Sequence, residues 1–190
     1  MLIDLSIKVT KALRSDAAGN EKMVSIGHLG THFDVMDKEF PLAYISRNGI
    51  VFDVSELGEQ EIELNGTDLE YIQKDMFVAF HSGYIDRVDY GTKPYFKNHP
   101  QLSNELIDQL LEKKISIIGI DFAGVRRGKE HTPKDQYCAD KGVFIIENLC
   151  NLNKVLKNQK VARFIANTFP VNFEGMTGLP CRVVAEVSRK

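Results

Sequence analysis

Residues Gly27-His28-Leu29-Gly30-Thr31-His32-Phe33-Asp34 constrain this chain more than any other stretch, because two of its five histidines and an aspartate lie there around a small Gly-Thr centre. Imidazole nitrogens and a carboxylate are donors that a divalent cation takes, and such donors have to meet at one point. His28 and His32 are four apart, the spacing that puts two imidazoles on one helix face in a metalloprotease motif, but that motif needs Glu after the first His and a helix beneath it. Leu29 follows instead, and Gly30-Thr31 are poor helix residues. As a continuation of the apolar run Met23 to Ile26, the segment reads as a strand in which positions 28, 30, 32 and 34 share a face. A straight strand spreads those positions over roughly 20 Å, whereas each donor must sit about 2 Å from a metal. The chain is therefore expected to bend, and Gly30 is where a bulge or kink is cheapest. The competing reading is a pair of surface histidines beside a turn.

A chain of 190 residues, 43% hydrophobic and 26% charged, can bury a substantial core, so one domain spanning 1–190 is expected. Its net charge of -2 offers little to a phosphate backbone or an anionic membrane, which argues against nucleic-acid and membrane partners. No apolar stretch approaches the roughly 18 residues needed to cross a bilayer, and Met1 to Ser6 lacks a basic n-region, so a cytoplasmic location is expected. Three cysteines (Cys138, Cys150, Cys181) without a Cys-x2-Cys pair fit reduced thiols better than a disulfide frame or a zinc knuckle.

Alternation over Leu2 to Ile7 predicts a strand, followed by a polar loop through Asp16 to Asn20 and the cradle strand from Met23. Charge and a proline break the pattern over Val35 to Pro41, and a short strand resumes at Ile50 to Val54; the loop between them is a candidate pocket wall. Thr67 to Glu70 matches a capping box and predicts a helix to about Lys74, before a buried strand at Met76 to Phe80. Gly83 to Lys97, with Gly, Pro and aromatics, reads as a long loop and a candidate substrate lid. Ser103 is placed to cap a helix over Asn104 to Lys114, with Leu106, Ile107, Leu110 and Leu111 on one stripe. A strand at Ile115 to Ile120 ends at Asp121, and a second helix start follows, with Thr132 as N-cap, Pro133 first and Asp135 third, closing near Lys141 with Gly142 as its left-handed cap. Val143 to Ile146 is the next strand and presents Glu147-Asn148 at its end; Val161 to Phe169 and Cys181 to Val187 supply two more. The whole is an α/β chain, about eight strands with short helices, best arranged as a mixed sheet or flattened barrel with the helices outside.

With those residues in view, the chain resembles the metal-dependent cyclase family that includes bacterial kynurenine formamidases and isatin hydrolases, whose signature His-x-Gly-Thr-His-x-Asp is met at His28 to Asp34. Ile3-Asp4-Leu5-Ser6, Asp75 to Tyr84, Ile118 to Asp121, Gly142 to Leu149 and Pro180 to Ala185 look like further family landmarks, in the family's order. The resemblance implies a swivelling β/β/α fold, zinc or manganese at the site, and a homodimer or larger homo-oligomer. It makes His28, His32 and Asp34 metal ligands, and Glu147 the later carboxylate ligand; read without the family, Glu147 is equally a solvated strand-end carboxylate. The chain departs from the family twice. Val35-Met36-Asp37-Lys38-Glu39-Phe40 replaces Ala-Pro-x-His-Phe, and Asp135 stands where the family has a histidine twelve residues before the later glutamate.

Asp135 is a candidate general base, since burial can raise a carboxyl into the working range, or else a capping carboxylate. His131, just ahead of that helix, is the other candidate, or else an exposed loop residue. His81 and His99 read as structural. Phe33, Phe40 and the Tyr84 to Phe96 segment are candidates for an aromatic pocket, or ordinary packing. By resemblance the activity is hydrolysis of a formamide, amide or lactam of a small molecule, an aryl formamide such as N-formylkynurenine being the family's best-known substrate. The competing expectation is a catalytically altered family member that holds metal and binds a small ligand or serves a structural role.

Overall fold

The computed structural model describes residues 1–13, 26–58 and 60–188, so the expected start of the cradle strand at Met23 and the polar loop through Asp16 to Asn20 lie outside the described residues. The strands are β1 (Leu2–Asp4), β2 (His32–Asp34), β3 (Ser46–Asp53), β4 (Phe77–His81), β5 (Ile117–Ile120), β6 (Phe144–Glu147), β7 (Val161–Pro170) and β8 (Gly178–Glu186). They run in the order β1-β8-β2-β6-β5-β4-β3-β7, and β7 pairs back onto β8. Strands β2 to β8 thus close into a seven-stranded mixed barrel, with β1 added to the outer edge of β8. The segments Phe77 to Phe80, Ile117 to Ile120 and Phe144 to Ile146 are unbroken apolar runs, as strands buried on both faces require, and they form the parallel part of the barrel, β3-β4-β5-β6. Every other pairing between these named strands is antiparallel.

Side-chain alternation sorts the apolar residues into two clusters. Phe33, Val51, Phe77, Ala79, Ile117, Ile146, Phe164 and Val183, drawn from all seven closed strands, pack together inside the barrel. Ile50, Phe52, Val78, Phe80, Ile118 and Ile145 point outward and are covered by helices. These are α1 (Gly66–Glu70), α2 (Tyr84–Arg87), α3 (Lys93–Lys97), α4 (Asn104–Glu112), α5 (His131–Asp140) and α6 (Leu152–Leu156). Inside, Gly49 and Gly119 make room for the edge-to-face pair of Phe164 and Phe77, whose centroids are 5.7 Å apart; a Cβ on either glycine would stand 2.7 Å from one of those rings.

Helix α4 follows the expected chemistry: the Ser103 hydroxyl accepts from the Leu106 amide, and Leu106, Ile107 and Leu110 are buried. Gly142 is left-handed, at φ 74°, and closes α5. Several expectations are corrected. Strand β1 stops at Asp4, with Ser6 adding one isolated bridge to Leu149, while β3 begins as early as Ser46. Helix α1 is capped by Asn65, which accepts from Asp68 N, and not by Thr67; it ends at Glu70. The stretch Gly83 to Lys97 folds into α2 and α3, the latter capped by Thr92. Helix α5 begins at His131, before the expected Thr132 cap, and Glu130 at its N-cap makes no side-chain capping bond. The cysteines are free, and no helix among the described residues is long and apolar enough to cross a membrane.

Candidate metal centre

The expected strand over 28 to 34 is shorter, and the bend is sharper. Gly27 and Gly30 take φ of 84° and 81°, so His28 lies in a turn and only His32 to Asp34 form β2. A Cβ on Gly27 would overlap the Gly178 carbonyl of β8, so this turn closes onto its neighbour only with glycine there. Folded back, His28 meets His32 edge to face, with ring centroids 4.8 Å apart. Phe33 points into the barrel, so His32 and Asp34 on either side of it point outward. Register completes the set: His32 stands directly opposite Glu147 across the β2–β6 pair, with Ile146 inside and Glu147 outside. Helix α5 packs against β6 and supplies His131 and Asp135 to the same face.

The distances describe one cluster. Asp34 Oδ1 lies 3.0 Å from His28 Nε2 and 3.5 Å from His32 Nε2, and Glu147 Oε2 lies 3.6 Å from His32 Nε2. His28, His32 and Asp34 each offer a ligand atom within 4.8 Å of the other two. His131 Nε2 sits 3.2 Å from Asp135 Oδ2 and 3.6 Å from Glu147 Oε1. Among the described residues, His28 Nδ1, His32 Nε2, Asp34 Oδ2, Asp135 Oδ1 and Glu147 Oε1 are buried polar atoms without a hydrogen-bond partner. Leaving such groups unsatisfied costs about 1–3 kcal/mol each, so five at one place call for an occupant that takes lone pairs. Mixed imidazole and carboxylate donors of this kind fit a divalent cation and do not suit the thiolate-held iron-sulfur clusters.

Burial raises Glu147 well above the usual carboxylate range, and the charges of Asp34 and Asp135 push in the same direction. Asp135 is raised likewise by burial and by Asp34. Burial also pushes Asp34 up, but the imidazoles of His32 and His28 beside it prevail and hold it low. His131 is lowered, chiefly by burial. Three carboxylates crowded together in this way make an electronegative pocket suited to a cation.

A cavity of about 280 Å³ opens over the cluster, lined by His28, His32, Glu147 and His131 and by Phe96, Ala123 and Asn148. Asp135 is buried on α5 one turn beyond His131, so its side chain belongs to the cluster and caps no helix end. His131 is likewise drawn into the site and is no exposed loop residue. Of the aromatics considered for a pocket, Phe96 lines the cavity. Phe33 and Phe40 pack against each other 4.7 Å apart and make no wall of it, and Tyr84 and Tyr95 are buried. No residue of the loop between Val35 and Gly49 lines the cavity; Lys38 turns away to Asp140 at the far end of α5, 2.8 Å off. His81 and His99 stand outside the cluster. His81 Nδ1 lies 3.2 Å from Asp121, which also accepts from Ser82 and Gly83 and ties the ends of β4 and β5 together. His99 donates from Nδ1 to the Pro100 carbonyl and stacks on Phe122. Asn148 lines the cavity as well, and the one sign of it in the sequence is its position directly after Glu147.

Comparison with known proteins agrees with this geometry. No curated protein matches the sequence at a significant level. Among solved structures, one described as a potential metal-dependent hydrolase with cyclase activity superposes with a TM-score of 0.72 at 22% identity, covering 97% of this chain and 96% of that one. Isatin hydrolase A from Labrenzia aggregata gives 0.72 at 17% identity over 97% and 93% of the two chains, and that from Ralstonia solanacearum 0.70 at 16% over 97% and 91%. At these identities the likeness is one of fold. The family model described as "Putative cyclase" matches residues 3–126, a span that holds the whole His28 to Asp34 signature and stops short of His131, Asp135 and Glu147. With most of its length matched and the signature histidines and aspartate meeting on one outer face of the barrel, this chain belongs to the cyclase family.

Proposed function

We propose that the protein is a metal-dependent hydrolase that cleaves the C–N bond of a formamide, amide or lactam in a small molecule, with His28, His32, Asp34 and Glu147 holding zinc or manganese. The observation that carries this reading is the convergence of unpartnered buried donor atoms from the turn before β2, from β2 itself and from β6. A divalent ion there supplies Lewis acidity, polarising the substrate carbonyl and making a water nucleophilic near neutral pH. His131 faces the cavity and takes the proton as water adds to the carbonyl carbon; its Nε2 lies 3.2 Å from Asp135, which is placed to share that proton, and 3.6 Å from Glu147. The same proton returns to the departing nitrogen as the C–N bond breaks, leaving an amine and a carboxylic acid, which releases its proton to solvent. Phe96 offers the ligand an aromatic wall, in keeping with an aryl substrate such as N-formylkynurenine. The net charge of -2 and the free cysteines support a cytoplasmic enzyme acting on small molecules, and the family resemblance supports a homodimer or larger homo-oligomer of a single 1–190 domain.

Lys38 and Asp135, standing where the family resemblance expects histidines, favour a second reading, a member that binds metal and a small ligand without turnover. One set of measurements separates the two. Protein purified with zinc or manganese supplementation should carry stoichiometric metal and hydrolyse at least one of N-formylkynurenine, isatin and simple anilides, and His32→Ala should lose both. Equal rates for the two proteins end the hydrolase reading, stoichiometric metal without turnover selects the second, and no metal in the supplemented protein ends both.

A further inference from the structure

The peptide of Gly30 is a hub of hydrogen bonds in the middle of the signature. Its N–H donates to the Tyr90 hydroxyl at 2.8 Å, and its carbonyl accepts from His32 Nδ1 at 2.9 Å and from Asn148 Nδ2 at 3.0 Å. A carbonyl only accepts, so the His32 nitrogen facing it carries the proton, and in the neutral ring that binds a cation Nε2 is the nitrogen with the lone pair. That Nε2 is one of the buried atoms without a partner, pointed between Asp34 and Glu147.

Asn148 is itself held from three sides. Its Oδ1 accepts from the hydroxyl of the fully buried Tyr95 at 2.7 Å, its backbone carbonyl accepts from the Thr31 hydroxyl at 2.7 Å, and its backbone N–H donates to the Phe122 carbonyl at 3.2 Å. Its φ of 60° lies in the left-handed region, which asparagine tolerates better than most residues. An amide side chain donates to one partner and accepts from another from the same planar tip at any pH, so residue type, backbone and both contacts agree. Asn148 also lines the cavity next to Glu147.

Resting on the metal-centre reading, we infer that Asn148, backed by Tyr95, is a positioning residue: it holds the Gly30 carbonyl where that carbonyl keeps His32 in its Nδ1–H form with Nε2 aimed at the donor cluster. Hydrogen-bond partners behind a metal-ligating histidine typically change metal affinity by about 10 to 100-fold when removed, so Asn148→Gly, which keeps the backbone conformation and loses the amide, should weaken zinc or manganese binding by about that factor. Tyr95→Phe, which removes one oxygen far from any ion, should show a loss at the lower end of that range. The deciding readout is taken in the ion-free protein, where nitrogen NMR of His32, assigned by its absence in His32→Ala, reports the tautomer. Wild type should show the Nδ1–H form, and both variants a mixture. An unchanged tautomer in folded Tyr95→Phe overturns the inference whatever the affinities do, and Tyr95→Phe decides it alone should Asn148→Gly fail to fold. Absence of metal binding by wild type defeats the proposed metal centre and leaves the tautomer comparison to decide this inference by itself.

Discussion

At the scale of single residues, His99 shows how burial dominates a titration. Its ring is buried against Phe122, and burial, aided by the nearby His131 and Arg127 and opposed by the bond to Pro100, pushes its pKa down to about 4. The folded protein therefore holds His99 neutral, while the unfolded chain protonates it at an ordinary value near 6.5. Stability from this residue is complete above about pH 6.5 and is lost as pH falls toward about 4, by on the order of 3 kcal/mol. In ion-free protein, unfolding free energies from urea titrations should decline between those limits more steeply in wild type than in His99→Gln; parallel curves would contradict the assignment. His28, His32 and Asp34 were legible as candidate ligands because their types and spacing are local. Glu147 entered only through the family resemblance and His131 only as one of two candidate bases, because the surroundings of each depend on what another segment places beside it.

Among the elements, α5 is where local rules ran out. Thr132-Pro133 and Asp135 satisfy a helix-start pattern with Pro133 first, yet the helix begins two residues earlier, at His131. The first four amides of a helix have no partner within it, so Pro133 fits several positions in the first turn equally well. Contacts made by His131 with Asp135 and Glu147, available only in the folded protein, select the register. Gly124 permits it: its φ is 98°, and a Cβ there would overlap the His131 ring and crowd the Arg126 carbonyl. Gly124→Ala should therefore cost about 1–3 kcal/mol and displace His131. The expected signature is a lower urea midpoint with unchanged slope, together with turnover reduced well below wild type at unchanged metal content. Full turnover in the variant would remove His131 from the reaction. The long loop expected over Gly83 to Lys97 failed for a related reason: α2 and α3 are too short to show helical periodicity, and they owe their stability to burying Tyr84 and Tyr95.

For the molecule as a whole, the proposed centre is a cross-link. Its donors come from the turn before β2, from β2 and from β6, so an ion bound there ties distant parts of the chain and relieves the crowding of Asp34, Asp135 and Glu147. Free ion at about a hundred times its Kd should stabilise the fold by about 2.7 kcal/mol, which for a chain of this size is roughly 5–10 °C in Tm. Thermal unfolding with excess zinc or manganese and then with chelator measures the difference, and equal Tm values under the two conditions would count against an ion at this site.

The amino-acid sequence by itself determined the alternation of strands and helices, the apolar runs of the parallel strands, the α4 cap at Ser103 and a bend at Gly30 that brings His28 toward His32. All of these depend on residues within a few positions of one another. Tertiary structure alone decided that β7 returns to β8 to close a barrel, that Glu147 pairs in register with His32, that His131 shares the site with Asp135 while Lys38 turns away, and that Asn148 and Tyr95 stand behind the signature. Strand register between remote segments follows from which faces can be buried together, and a shift of one residue would turn Glu147 into the barrel and Ile146 out of it. The metal-binding character of this chain is thus written in one short stretch, and the completion of its centre is a property of the barrel.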